Sequence, residues 1–345
     1  GSSLVFDASG SSDQDGSIVT YEWDFDDDGV WDNSVNNATT THKYTATYTG
    51  LVRLRVTDND GLMSEDTADV VIELPTVAAF SPNAAITLQN PGGGLFTVHD
   101  QDMATVDVQA MELQPNFRGT PFGFSTLDAV DLVDLGGCSD PKLIFSVKEN
   151  RLLGSINNQT IYANKADILS LDLGTGQFEL LFDGLSYGVT NVDAVAILDD
   201  NSLVFSSEAG FMYEIYWFRD EDLVRFDPVT GDLSLYLKGM EIGVTTLDAV
   251  DLLYERVYFS VSEAAYVGHP PFSIYIKPGD IAIYNMITGT IEFFMQGQPY
   301  GINRLDAMCL EGLIRKADAV DMQLNSVNPR YGSNPQGPSF GNTVR

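Results

Sequence analysis

Gly243-Val-Thr-Thr-Leu-Asp248-Ala249-Val250 decides the fold, because the chain writes this phrase four times. Two earlier copies are Gly123-Phe-Ser-Thr-Leu-Asp128-Ala129-Val130 and Gly188-Val-Thr-Asn-Val-Asp193-Ala194-Val195, and the last is Gly301-Ile-Asn-Arg-Leu-Asp306-Ala307-Met308. Successive aspartates stand 65, 55 and 58 residues apart. A period of this size marks a repeat architecture with one supersecondary unit per copy.

Each of the first three phrases leads into three more apolar runs. The first ends in Phe-Ser (Phe145-Ser146, Phe205-Ser206, Phe259-Ser260), with Glu149, Glu208 or Glu263 two or three residues on. The second opens on Asp167, Asp222 or Asp280, and a glycine-bearing turn leads to the third at Phe178, Leu233 or Ile291. Short runs rich in β-branched and aromatic residues, punctuated by Gly, Asn and Asp, predict four antiparallel strands per repeat. No segment between the phrases carries the 3.6-residue period of a crossover helix, so the fold class is all-β. Four-stranded units repeated radially make a β-propeller, and a linear solenoid is the rival.

Composition narrows the function classes. With 18 basic and 49 acidic residues the net charge is −31, which repels nucleic acid and anionic membrane. No apolar run reaches the roughly 20 residues of a membrane span, and none reads as a signal peptide, as in a mature chain. Cys138 and Cys309 are too few for a disulfide framework. They are expected as reduced, packed thiols in the first and last repeats, with a bridge between them as the alternative.

The amino-terminal 73 residues are different text. Val5-Phe-Asp-Ala-Ser-Gly-Ser-Ser-Asp-Gln-Asp-Gly16 is followed by Tyr21-Glu-Trp-Asp-Phe25, His42-Lys-Tyr44 and Leu54-Arg-Val-Thr-Asp-Asn-Asp-Gly61. Leu51–Val56 alternates apolar and polar at period two, as a half-buried sandwich strand does. Order and spacing throughout resemble a PKD domain. The resemblance implies an immunoglobulin-like β-sandwich of the kind common in secreted and cell-surface proteins, with His42 packed inside it. The family normally has a first strand ahead of Val5, and only Gly1-Ser-Ser-Leu4 precedes it here. That strand is expected from elsewhere.

Within this domain, Asp24, Asp26, Asp28 and Asp32 fall at positions 1, 3, 5 and 9 of an EF-hand-like loop with Gly29 at position 6. Asp24, Asp26, Asp28, Val30 and Asp32 are the candidate calcium ligands, since three close carboxylates repel one another without a cation. Position 12 is Val35, so the closing bidentate carboxylate is missing. A solvated acidic turn is the alternative.

The expected organisation is a sandwich over 1–74, a Pro- and Gly-rich linker over 75–94, a propeller over 95–325 and an extended tail over 326–345. The fourth repeat breaks off after Asp306, so strands at 95–98 and 106–113 are expected to complete its blade from the other end of the chain. That gives four blades, with five as the alternative. As an architecture this resembles the four-bladed hemopexin-type propeller, which implies ions in the channel, and the repeat propellers of secreted bacterial and archaeal surface proteins.

Asp128, Asp193, Asp248 and Asp306 are expected to ring one mouth of the channel, either holding a cation or each capping a turn through neighbouring backbone N–H groups. Glu149, Glu208 and Glu263 invite a glycosidase reading, but one per repeat at equivalent positions is the opposite of the local asymmetry an active site needs. Phe211, Tyr213, Tyr216 and Trp217 form an aromatic insertion that breaks the repeat, and Tyr331 and Phe340 are the large aromatics of the tail. These six are the interaction candidates. The expected function is a non-catalytic, extracellular or cell-surface structural protein that associates with copies of itself by donor-strand or tail exchange, the donor being 324–345 or 76–90. The alternatives are an adhesin that binds a glycan or protein through one propeller face, and a secreted polysaccharide- or protein-degrading enzyme.

Overall fold

A computed structural model describes residues 4–42, 44, 48–72, 77–89, 94–108, 110, 112–133, 142–154, 159–198, 200–253, 255–271, 273–310 and 319–321. The chain divides into two compact units, residues 1–74 with 312–345, and residues 75–311. The described residues of both are almost wholly in strands and the turns between them.

The first unit carries β1 (Leu4–Asp7), β2 (Ile18–Asp24), β3 (Asn33–Val35), β4 (Thr39–His42), β5 (Tyr48–Asp58) and β6 (Met63–Ile72). One antiparallel sheet runs β3-β2-β5-β6. The alternation in β5 does what its sequence demands, turning Val52, Leu54 and Val56 inward. The same unit buries Phe6, Trp23 and Phe25, and the Phe6 and Phe25 ring centroids lie 4.8 Å apart. His42 stacks on Phe25 at 4.1 Å, and the buried Tyr44 hydroxyl donates to the Phe25 carbonyl at 2.8 Å.

The second unit opens with β7 (Val77–Pro82), the hairpin β8 (Ile86–Gln89) and β9 (Leu95–Val98), then β10 (Asp102–Asp107) and β11 (Glu112–Arg118). The first full repeat is β12 (Ala129–Val133), β13 (Lys142–Ser146), the hairpin β14 (Arg151–Gly154) and β15 (Thr160–Ala163), β16 (Ile168–Asp172) and β17 (Phe178–Phe182). The next is β18 (Val192–Ile197), β19 (Leu203–Ser207), the hairpin β20 (Phe211–Tyr213) and β21 (Tyr216–Phe218), β22 (Leu223–Phe226) and β23 (Leu233–Leu237). The third is β24 (Ala249–Leu253), β25 (Arg256–Ser260), the hairpin β26 (Ala265–Val267) and β27 (Ile274–Ile276), β28 (Ile281–Asn285) and β29 (Ile291–Met295), after which β30 (Leu305–Leu310) begins a fourth.

Four antiparallel sheets result: β12-β13-β16-β17, β18-β19-β22-β23, β24-β25-β28-β29 and β30-β7-β10-β11. Their first strands touch in cyclic order, β12 against β18, β18 against β24, β24 against β30 and β30 against β12. A closed cycle of four sheets is the arrangement the repeat predicts for four blades. Burial of the recurring Phe145, Phe205 and Phe259, each fully enclosed, contributes roughly 1.5–3 kcal/mol apiece. Ser146, beside the first of them, donates its hydroxyl to the Val192 carbonyl of the next sheet at 3.1 Å.

The closing sheet corrects the expected boundaries. Residues 75–94 are not a linker, since β7 fills the second-strand place beside β30 and β8 begins a hairpin. Its outer strands are β10 and β11, whereas 95–98, expected in the sheet, lies in that hairpin. The ring's last described strand ends at Leu310, short of the expected 325. Beyond it β31 (Ala319–Asp321) runs parallel to β1, pairing Val5 with Ala319 and Asp7 with Asp321. β1 therefore lies between β31 and β4, and the lane ahead of Val5 is filled from the far end of the same chain. The segment 76–90, offered above as a donor, belongs to the ring instead. Residues 324–345, with Tyr331 and Phe340, lie outside the described residues, as does Cys138; Cys309 is buried on β30.

The phrase glycine also gains a reason. A one-turn helix precedes each phrase, at Thr120–Phe122, Gly184–Tyr187, Gly239–Ile242 and Gln298–Tyr300. Gly123, Gly188, Gly243 and Gly301 close these turns at φ of 80, 84, 75 and 77°, where a Cβ is strained. Four residues earlier, Gly119, Gly184, Gly239 and Gly297 meet a backbone carbonyl so closely that a Cβ would lie 2.0–2.1 Å from its oxygen. Gly239→Ala is expected to destabilise the ring by about 1–3 kcal/mol through overpacking. Gly289→Ala, in open space at φ 69°, should cost only about 1–2 kcal/mol of backbone strain. Chemical denaturation midpoints of the two variants check the order.

Candidate functional site

Strand direction gathers the candidate residues at one end of the ring. Ser146 pairs with Ala129, Ser206 with Ala194 and Ser260 with Ala249, so each second strand finishes where its first strand begins. The phrase aspartates, the glutamates after Phe-Ser, the hairpins and the one-turn helices therefore share that end.

There three of the aspartates are held by side chains distant in sequence. Arg304 grips Asp248 with two hydrogen bonds of 3.0 Å and lies 3.5 Å from Asp306. Lys148 Nζ stands 2.7 Å from Asp306 and 4.0 Å from Asp128. The Asn83 amide donates to both Asp306 oxygens, and Asn191 Nδ2 donates to Asp128 at 3.2 Å. This corrects the turn-capping expectation for Asp128, Asp248 and Asp306, whose described carboxylate hydrogen bonds come from side chains distant in sequence.

A rule of place is visible. Asn191 and Arg304 both sit two residues before a phrase aspartate, and each reaches the aspartate of the preceding repeat. The residue in that place for Asp193 is Thr246, too short for the task, and its enclosed Oγ1 makes no hydrogen bond. No donor to Asp193 is found among the described residues. Burial, with repulsion from Asp128, Asp248, Glu208 and Asp306, pushes its carboxyl up to about 8. Burial pushes Asp128 up to about 7 against the pull of Lys148.

Sequence reasoning passed over two further acids, Asp131 and Asp251, three residues past their phrase aspartates. Asp131 accepts the Ile197 N–H at 2.7 Å and Asp251 the Leu310 N–H at 2.6 Å, each tying its inner strand to the next. Burial raises Asp251 well above the usual carboxylate range, and the charge of Asp131 adds to it. The available signal was an asymmetry within the phrase, since the other two copies carry Ala196 and Cys309 in that place.

The glutamates Glu149, Glu208 and Glu263 are all exposed and belong to three different sheets. The aromatic insertion alternates, with Phe211 buried, Tyr213 half-buried, and Tyr216 and Trp217 56% and 60% exposed. It does not break the repeat, because all four sheets carry such a hairpin between their second and third strands. The acids opening the third strands build this same end: Asp102, Asp222 and Asp280 accept the N–H of Gly119, Gly239 and Gly297.

In the sandwich, Asp24, Asp26 and Asp28 each present a carboxylate oxygen within 4.8 Å of the others. The loop's own N–H groups already use some lone pairs: Asp24 accepts from Asp28 and Gly29, Asp28 from Val30, and Asp32 from Phe25. Burial and repulsion from Asp28 raise the Asp26 carboxyl. The donor set, all carboxylate oxygen, suits a hard cation.

Comparison with known proteins places the sandwich. Residues 1–72 match the PKD domain family. Collagenase ColA of Clostridium perfringens is 40% identical over 69 residues, which is 20% of this chain and only 6% of the collagenase. An auxiliary nutrient binding protein from Bacteroides thetaiotaomicron aligns over 84% of this chain and 63% of its own, at 12% identity and a TM-score of 0.30. A hemopexin fold protein from cow pea aligns over 63% of this chain and 96% of its own, at 10% identity and a TM-score of 0.31.

The raised carboxyls carry a pH dependence. A group whose folded pKa lies above its unfolded value of about 4 favours the folded state at low pH and loses that stability as pH rises through the folded value. For Asp128 and Asp193 the window runs from about 4 to about 8. The ring should melt at a lower temperature at pH 8.5 than at pH 5, and Asp193→Asn should reduce that difference. Calorimetric scans of both proteins at the two pH values check it.

Proposed function

We propose that this chain is a non-catalytic, extracellular structural protein whose copies join by exchanging the strand 319–321, and that its ring is a four-bladed β-propeller. The observation that carries the reading is the β1–β31 pairing. The strand that flanks β1 comes from the other side of the whole ring in sequence, so the same parallel pairing can be made by the carboxy-terminal segment of a second copy. Such a head-to-tail contact propagates unless it closes on itself. The PKD match and the collagenase relative support placement outside the cell. The exposed, separated glutamates support a scaffold over a hydrolase.

On the same reading the Asp24, Asp26 and Asp28 loop takes calcium, which would add charge neutralisation to a turn already fixed by its backbone. Calcium should raise the sandwich melting temperature, and Asp26→Asn should lose most of that shift. No change on adding calcium to metal-stripped protein would remove the ion from the proposal.

The exchange is read with Val5→Cys and Ala319→Cys in one chain, with both single variants as controls. Oxidation is expected to give covalent dimers and longer ladders on a non-reducing gel. Monomer alone, cross-linked within itself, together with a concentration-independent monomer mass by light scattering, would reject self-association by this strand.

A further inference from the structure

We propose that the hairpin-bearing end of the ring binds a neutral polysaccharide, with Tyr275 as a stacking platform and Gln296 and Gln298 as its hydrogen-bonding partners. The inference does not depend on strand exchange. A cleft of about 530 Å³ opens beside β27, lined by Tyr275, Lys277, Asp280, Gln296, Gln298 and Pro299. That volume falls in the roughly 300–1,000 Å³ range of small-molecule sites.

Its parts divide into frame and surface. Asp280 is buried, and its two oxygens accept the N–H groups of Lys277 and Gly297, so it builds the wall. Gln296, Gln298 and Pro299 are exposed, and Lys277 Nζ lies 3.5 Å from Gln298 Oε1. Tyr275 is 47% exposed, and its cross-strand neighbour Tyr266, 72% exposed, holds its ring 5.0 Å away.

The bland explanation is that a facing pair of large side chains simply stabilises a short hairpin. The ring contains its own control. In the closing sheet the equivalent pair is Thr87 and Thr97, hydroxyls 3.3 Å apart, and β8–β9 is formed all the same. A hairpin here therefore needs no aromatic residue. Yet five residues before the acid that opens the third strand, the other three sheets all expose one: Tyr162 at 59%, Trp217 at 60% and Tyr275. Leaving large rings in water at three equivalent places forgoes burial that folding could have used.

The chemistry of the cleft selects the ligand. A pyranose offers a C–H face to a flat ring and a rim of hydroxyls that both donate and accept. Tyrosine supplies the flat apolar face with a polar edge, and glutamine amides supply a donor and an acceptor together. A chain of net charge −31 repels anionic polysaccharides, and the aromatic face and uncharged amides of the cleft match a neutral one. Three platforms on one end let one long polymer engage more than once, raising avidity without new contacts.

The test is affinity gel electrophoresis of the full chain through β-1,3-glucan, hydroxyethyl cellulose, xylan and galactomannan, with alginate as the anionic arm. At least one neutral polymer should retard the protein, and alginate should not. Tyr275→Ala should weaken that retardation about ten-fold, as loss of a central aromatic anchor does, and Gln298→Ala should weaken it less. Both residues are exposed, so the melting temperature should stay unchanged. Failure of every neutral polymer, retardation by alginate alone, or unchanged binding by both variants would overturn the proposal. A fall in light-scattering mass for Tyr275→Ala with no polysaccharide binding by the wild type would assign this surface to copies of the chain instead.

Discussion

The ring stands on one antiparallel pairing, that of β7 with β30, which brings residues 78–82 against 305–310. Three of its sheets are made from consecutive sequence and could form locally. The fourth needs both ends of a stretch of more than two hundred residues, and only its formation places β30 against β12 to complete the cycle. Closing so long a loop costs entropy that grows slowly with length. Burial of Phe80, Leu305, Ala307 and Met308, all fully enclosed, offsets it.

Closure also fixes the electrostatics. Lys148 comes from the first full repeat and Asp306 from the last, and their 2.7 Å contact exists only because those repeats are neighbours in the cycle. Among the described residues four aspartates share two cationic side chains at this end, and Asp193 is left without a counter-charge. Symmetry placed the acids, while Lys148 from outside the phrase reaches Asp306, and Asn191 and Arg304, two places before their own aspartates, reach those of the preceding repeats. That substitution of Asn, Thr, Thr and Arg in one repeated position turns an equal ring into an unequal one.

Much of this was legible in the chain. The Asp-Ala phrases, the Phe-Ser ends and the acids opening third strands gave strand order, because each recurs for a packing or hydrogen-bonding reason that repeats with the fold. The alternation in β5 and the aspartates of the first turn were equally plain. What escaped was anything set by one end meeting another. Val77–Pro82 is a short run of Val, Ala, Ala, Phe, Ser and Pro, and nothing local says that its partners lie at 305–310 and 102–107. The strand at 319–321 is three residues long, too brief for any periodicity to show. The hairpins were read as one aromatic anomaly because Trp217 and Tyr216 stood out, while Thr97 and Tyr162 in the same place did not.

The parallel pairing of β1 with β31 has a mechanical consequence. Tension entering ahead of Leu4 and leaving after Asp321 pulls the two strands lengthwise past each other, loading their hydrogen bonds together in shear instead of peeling them one at a time. In sequence the whole ring lies between these two strands, so their pairing, and not the ring, is what such a pull must break first.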